Sequence, residues 1–79
     1  MNASEPSIQH DSIRCTLNGK AIELPHRSLH QMMVEQGVNP EKPGIAVAVN
    51  DTVVRRSDWK QTELADGDHV EVITAMQGG

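Results

Sequence analysis

The chain has 79 residues, with eleven Asp/Glu against seven Lys/Arg for a formal charge of −4, and 37% of it is hydrophobic. That length holds one domain, and no apolar run approaches the ~18 residues of a membrane-crossing helix. One Trp, no Phe or Tyr and an acidic balance argue against a nucleic-acid module, which needs a basic patch and stacking rings, and a lone cysteine neither staples a fold nor holds a structural zinc.

Residues 1–11 (MNASEPSIQHD) lack the basic start and apolar core of a signal peptide, so a cytoplasmic protein is expected. They are polar and without period, which predicts a disordered leader. Order is expected from Ser12. Ile13, Cys15 and Leu17 alternate with Arg14 and Thr16, the period of a half-buried strand. Asn18-Gly19 favours a type I′ turn, because both residues tolerate positive φ. Ala21, Ile22 and Leu24 make the returning strand, closed by Pro25.

A helix follows with both ends marked. Ser28 and Gln31 have the spacing of a capping box. Leu29, Met32 and Met33 repeat along one face, with Val34 widening the stripe. Gly37 suits the position after the helix, and Pro40 blocks its continuation. So short a helix is unstable alone and must pack on a sheet.

After a loop over residues 39–44, Ile45 to Val49 is apolar at every position, so both faces of this strand are expected to be covered or contacted. Asn50-Asp51 turns the chain into Thr52-Val53-Val54, which ends at Arg55 and Arg56. Ser57-Asp58-Trp59 reads as a short capped helical turn, with Trp59 plugging the core or an edge of the sheet. Leu64 and an Asp66-Gly67 turn lead to a last alternating strand, Asp68 to Thr74. Strand, strand, helix, strand, strand, short helix, strand predicts an α+β fold. The arrangement is a mixed sheet of about five strands crossed by one helix, and with the first and last strands adjacent and parallel this is the β-grasp. The domain is expected over 12–74, with a flexible tail over 75–79.

The chain lacks the Walker loop, the nucleophile elbow and the zincin helix, so a self-contained enzyme has no foundation in it. Its salient feature is Gly78-Gly79. The ordinary reading is a frayed end. The functional reading is that a terminal carboxylate can be adenylated and then attacked by a sulfur or nitrogen nucleophile. Two residues without Cβ can also thread a narrow channel. His26 and His30 lie on different sides of the helix cap and are read as surface histidines, so no metal site is expected. Cys15, facing inward, is read as a small buried apolar residue. Arg55, Arg56 and Lys60 form a basic group, and Glu63, Asp66, Asp68 and Glu71 an acidic one. Both read as solvated surface, and the acidic one alternatively as a guide for docking a basic partner. If Ile45, Val47 and Val49 face the helix, Ala46 and Ala48 face away beside Ile73. That flat apolar patch, with Met76 and Gln77 at the root of the tail, is the expected docking surface.

Residues 45–79 resemble the ThiS family of sulfur carriers in thiamine biosynthesis. The matching features are the apolar strand ending in Asn50, Val53-Val54 running to Arg56-Ser57, Trp59, Leu64, Gly67-Asp68, Val70-Glu71-Val72 and Gly78-Gly79. The first half fits in layout. Arg55 stands where many relatives have Pro, and the leader is longer than is usual. The resemblance implies a ubiquitin-like β-grasp protein that binds no cofactor itself. It implies that a ThiF-like adenylyltransferase uses ATP to adenylate the Gly79 carboxylate, with Gly78 as its flexible neighbour. Sulfur originating from cysteine then makes a thiocarboxylate (thioglycine), and a ThiG-like thiazole synthase takes up that sulfur. Alternatives are a MoaD-like carrier for molybdopterin synthesis, a ubiquitin-like protein modifier, or a bare interaction domain. Thr74-Ala75-Met76-Gln77 replaces the Phe and Pro usual before the glycines of MoaD-like chains.

Overall fold

Two turns of the same kind organise the molecule. The computed structural model describes residues 12–75. In it Asn18 (φ 52°) and Gly19 (φ 83°) reverse the chain between β1 (Ile13–Leu17) and β2 (Lys20–Leu24), as the type I′ reading expects. Asn50 (φ 52°) and Asp51 (φ 70°) do the same between β3 (Ile45–Val49) and β4 (Thr52–Val54). Each turn sets a register by its length: Leu17 pairs with Lys20, and Val49 with Thr52.

The two hairpins do not touch as strands. The last strand, β5 (His69–Thr74), lies between them, and the sheet order is β2-β1-β5-β3-β4. β5 runs parallel to β1, with Thr16 opposite His69, and antiparallel to β3, with Ala46 opposite Ile73 and Val49 opposite Val70. One mixed sheet with a central parallel pair and a helix on one face is the ubiquitin-like β-grasp arrangement.

The helix α1 (Leu29–Glu35) covers one face. Ser28 Oγ accepts from the Gln31 amide at 3.0 Å, which is half of the expected capping box. The other half is absent. The Gln31 side chain donates to Glu35 at 3.3 Å, and the Ser28 amide donates to His26 Nδ1 at 3.2 Å, because the preceding chain brings the imidazole within reach of that donor. The far end is a Schellman motif. Gly37 (φ 85°) donates to the Val34 carbonyl at 3.1 Å and Val38 to the Met33 carbonyl at 2.8 Å. Leu29, Met32 and Met33 are fully buried, whereas Val34 is 53% exposed. The apolar stripe is therefore narrower than its sequence suggests, since Val34 follows Met33 by one residue and turns past the sheet.

The core contains Ile13, Cys15, Leu24, Val47, Trp59, Leu64 and Val70 beside the three helix residues. At ~1.5–3 kcal/mol for each large side chain fully buried, this is the main force holding α1 to the sheet. A 3-10 helix over Arg56–Gln61 follows β4. The short helical turn expected over 57–59 therefore forms, starting one residue earlier, but Arg55 takes its N-cap position without any side-chain bond, so the expected cap is absent. Trp59 instead anchors the segment: it is 2% exposed and its Nε1 donates to the Val54 carbonyl at 2.9 Å. Leu64 is placed by two bonds flanking it, Leu29 N to the Thr62 carbonyl and Leu64 N to the Arg27 carbonyl, at 3.1 and 2.7 Å. No helix among the described residues is long and apolar enough to cross a membrane.

Candidate functional site

Alternation along β3, β4 and β5 sorts their side chains. Val47 and Val70 are buried, and Ile45, Val49, Val54 and Val72 pack against the same core. Their neighbours Ala46, Ala48, Val53, Glu71 and Ile73 therefore point to the other face. Register brings them together: Ala46 lies opposite Ile73, and Ala48 lies between Glu71 and Val53. Ile73 is 60% and Val53 73% exposed. The three described residues named from sequence for this surface, Ala46, Ala48 and Ile73, are thus contiguous on the face away from α1. Ala46 is exposed and Ala48 half-buried, so the all-apolar β3 is covered on one face and open on the other. Met76, Gln77, Gly78 and Gly79 lie outside the described residues, as does the leader over 1–11.

Val53 was not singled out, although its place was legible. A two-residue turn at 50–51 puts residue 53 opposite residue 48, and Val54 facing the core sends Val53 outward. The surface has a polar flank on the β1 side, where Thr16 Oγ1 and His69 Nδ1 are 2.8 Å apart.

Two of the four acidic residues beside β5, Asp66 and Asp68, are engaged within the domain. Asp66 Oδ1 accepts from the Arg14 amide at 2.7 Å. Asp68 Oδ2 accepts from the Ala65 amide at 2.8 Å, and its Oδ1 from Asn50 Nδ2 at 2.9 Å. These two carboxylates hold the turn that launches β5, which accounts for them without a partner. Cys15 is 2% exposed. Burial first, then the charges of Asp68 and Asp66, push its thiol above the ordinary range, so the inert reading fits its surroundings. His26 Nε2 lies 3.0 Å from Glu35 Oε1, a helix-end contact within the domain. Among the described residues no group of three His, Cys, Asp or Glu side chains is arranged to hold a metal ion.

At the root of the tail, β5 passes Thr74 and the Ala75 amide donates to the Gly44 carbonyl at 2.7 Å. The described chain therefore leaves the sheet beside the loop over 39–44, at the Ala46–Ile73 end of the apolar surface. This geometry presents an exposed apolar surface with the exit of β5 at its edge.

The model of the ThiS family matches residues 15–79. A curated relative, sulfur carrier protein ThiS of Thermus thermophilus, is 38% identical over 63 residues, which covers 80% of this chain and 95% of the relative. The crystal structure of thiamine biosynthesis protein ThiS from Geobacter metallireducens superposes with a TM-score of 0.68 at 26% identity. It covers 85% of this chain and all of that one.

Proposed function

The chain belongs to the ThiS family, and on that premise we propose that it is a sulfur carrier of thiamine biosynthesis which supplies a reacting tail while partner enzymes supply the catalysis. The observation that carries the reading is that the family match runs through Gly78-Gly79, a short spacer after a strand that ends beside an apolar surface. In this reading a ThiF-like adenylyltransferase docks on Ala46, Ala48, Val53 and Ile73, with Met76 and Gln77 leading into its channel. The Gly79 carboxylate attacks the α-phosphorus of ATP and releases pyrophosphate. A sulfur nucleophile derived from cysteine then displaces AMP from the acyl-adenylate and leaves a thiocarboxylate. A ThiG-like thiazole synthase receives that sulfur. Gly78 and Gly79 suit entry into a narrow channel because neither carries a Cβ. Exposed small and β-branched side chains on a flat sheet suit reversible docking of successive partners.

The test is intact mass after incubation with the activating enzyme, ATP and a sulfur source. Exchange of oxygen for sulfur adds about 16 Da to the chain. Isopeptide-linked conjugates would instead assign the protein to the modifiers. An unchanged mass with an activating enzyme that modifies another ThiS protein would overturn the carrier reading.

A further inference from the structure

Arg56 is held in an unusually complete set of contacts for an exposed side chain. Its Nη1 donates to the Pro40 carbonyl and its Nη2 to the Lys42 carbonyl, the latter at 2.7 Å. Its guanidinium lies over the Trp59 ring, 4.6 Å from the centroid. Trp59 is buried and pinned through Nε1 to Val54, so the guanidinium rests on a fixed platform. A planar fork that reaches two carbonyls while stacked on an aromatic ring is a task for arginine, since the lysine ammonium is a point charge on a flexible stem.

Within residues 39–42 the loop it grips has otherwise only local bonds: Glu41 N to Asn39 Oδ1 at 2.9 Å and Lys42 N to the Asn39 carbonyl at 3.0 Å. Among the described residues no side chain from outside the loop, other than Arg56, bonds to it. The loop ends at Gly44 (φ 84°), whose carbonyl accepts the Ala75 amide. A mechanical line therefore runs from Trp59 through Arg56 and the loop to Gly44 and the first residue beyond β5.

We infer that Arg56 is a positioning residue for the C-terminal tail, acting at a distance by fixing the loop whose Gly44 carbonyl anchors the tail at Ala75. The inference rests on the carrier reading for its consequence, though not for the anchor itself. Arg56 does not touch the reacting carboxylate. It holds the loop that leads into Gly44, whose carbonyl accepts the Ala75 amide.

The experiment uses the full chain, wild type against Arg56→Lys and Arg56→Gln. Amide exchange is measured by NMR, and thiocarboxylate formation by a ThiF-like enzyme with ATP and a sulfur source. Arg56→Lys keeps the charge and the stacking stem, so it guards against simple unfolding. Exchange protection at Ala75 should fall about tenfold in both variants, with β3 and β5 interior amides unchanged. The turnover number should fall about tenfold while KM for the carrier stays within about twofold, because the docking surface is untouched and only the entry of the tail suffers. An Ala75 amide already unprotected in the wild type would overturn the inference. So would a uniform loss of protection across the sheet, full rescue by lysine, or a raised KM with unchanged turnover. If the wild type gains no sulfur, the carrier reading fails, and the exchange measurement alone then decides whether Arg56 anchors the tail.

Discussion

Asn18 and Val72 are joined by a side-chain amide that stands in for a strand residue. The Val72 amide donates to Asn18 Oδ1 at 2.9 Å, and Asn18 Nδ2 donates to the Val72 carbonyl at 3.3 Å. The Asn18 amide meanwhile donates to the Val70 carbonyl at 2.8 Å. β1 has by then turned away into its hairpin, so without this side chain the ladder between β1 and β5 would stop short of Val72. Asn18→Gly retains the positive φ and removes only the side-chain bonds. It should cost about 1–2 kcal/mol, read as a lower urea midpoint with an unchanged m-value.

Asn50 makes the corresponding clamp from the other hairpin, with Oδ1 accepting the His69 amide at 2.9 Å. Asp51 beside it has no such task and sits at φ 70°, where glycine is favoured. Asp51→Gly is expected to raise stability by about 0.5 kcal/mol, seen as a higher melting temperature. A lower one would mean that the Asp51 side chain contributes to the turn.

Ile73→Glu places a charge on the exposed surface and leaves the buried neighbours Val70 and Val47 in place. Stability should change by less than about 0.5 kcal/mol. Affinity for the activating enzyme should fall at least about tenfold by calorimetry or competition. Ala48→Glu, between Glu71 and Val53, should behave likewise. Unfolding of either variant would show that this face is part of the core.

Cys15 should ignore a water-soluble disulfide reagent at neutral pH in the native state and react at once in urea. Its exposure is 2%, and burial with the Asp68 and Asp66 charges disfavours the thiolate. Raising the pH within the folded range should speed labelling less than for a free thiol. Rapid native labelling would contradict the burial of β1.

The Glu35 carboxyl is held below the usual carboxylate range, mainly by its hydrogen bond with His26 and further by the His26 charge and Gln31. A depressed folded-state pKa means that the native protein releases this proton more readily than the unfolded chain. The contribution is therefore present above the unfolded pKa and is lost as pH falls through the folded one. NMR titration of Glu35 should show the depression, and His26→Ala should move the midpoint back towards the ordinary value.

Local rules made much of the fold legible. Asn18-Gly19, Gly37 and the alternation in β1 and β5 act over a few residues, and each appears where the sequence placed it. The apolar surface could be read as well, because Ala46 and Ala48 alternate with residues bound for the core. What escaped is the choice among competing polar partners. The Gln31 side chain took Glu35 one turn on, the Ser28 amide took the His26 ring two residues back, and Asp66 took the Arg14 amide from the far end of the chain. Arg56 looked like one cation in a basic group because its acceptors are backbone carbonyls, which leave no trace in the residue types around it.

The place of β5 bears on how the molecule comes into being. Among the described residues the strand latest in the chain, β5, occupies the middle of the sheet, and each hairpin is joined to the other through it. The sheet stays in two pieces while β5 is missing, and the pairing that joins β5 to β1 spans more than fifty positions, as for Thr16 with His69. Folding of this kind waits for distant segments to meet, and it is slow compared with helical bundles of similar size. A nascent chain interrupted before its last strand would lack both the keystone of the sheet and the segment that follows it. Such a product would be left to proteolysis rather than persisting as a folded competitor for the same partners.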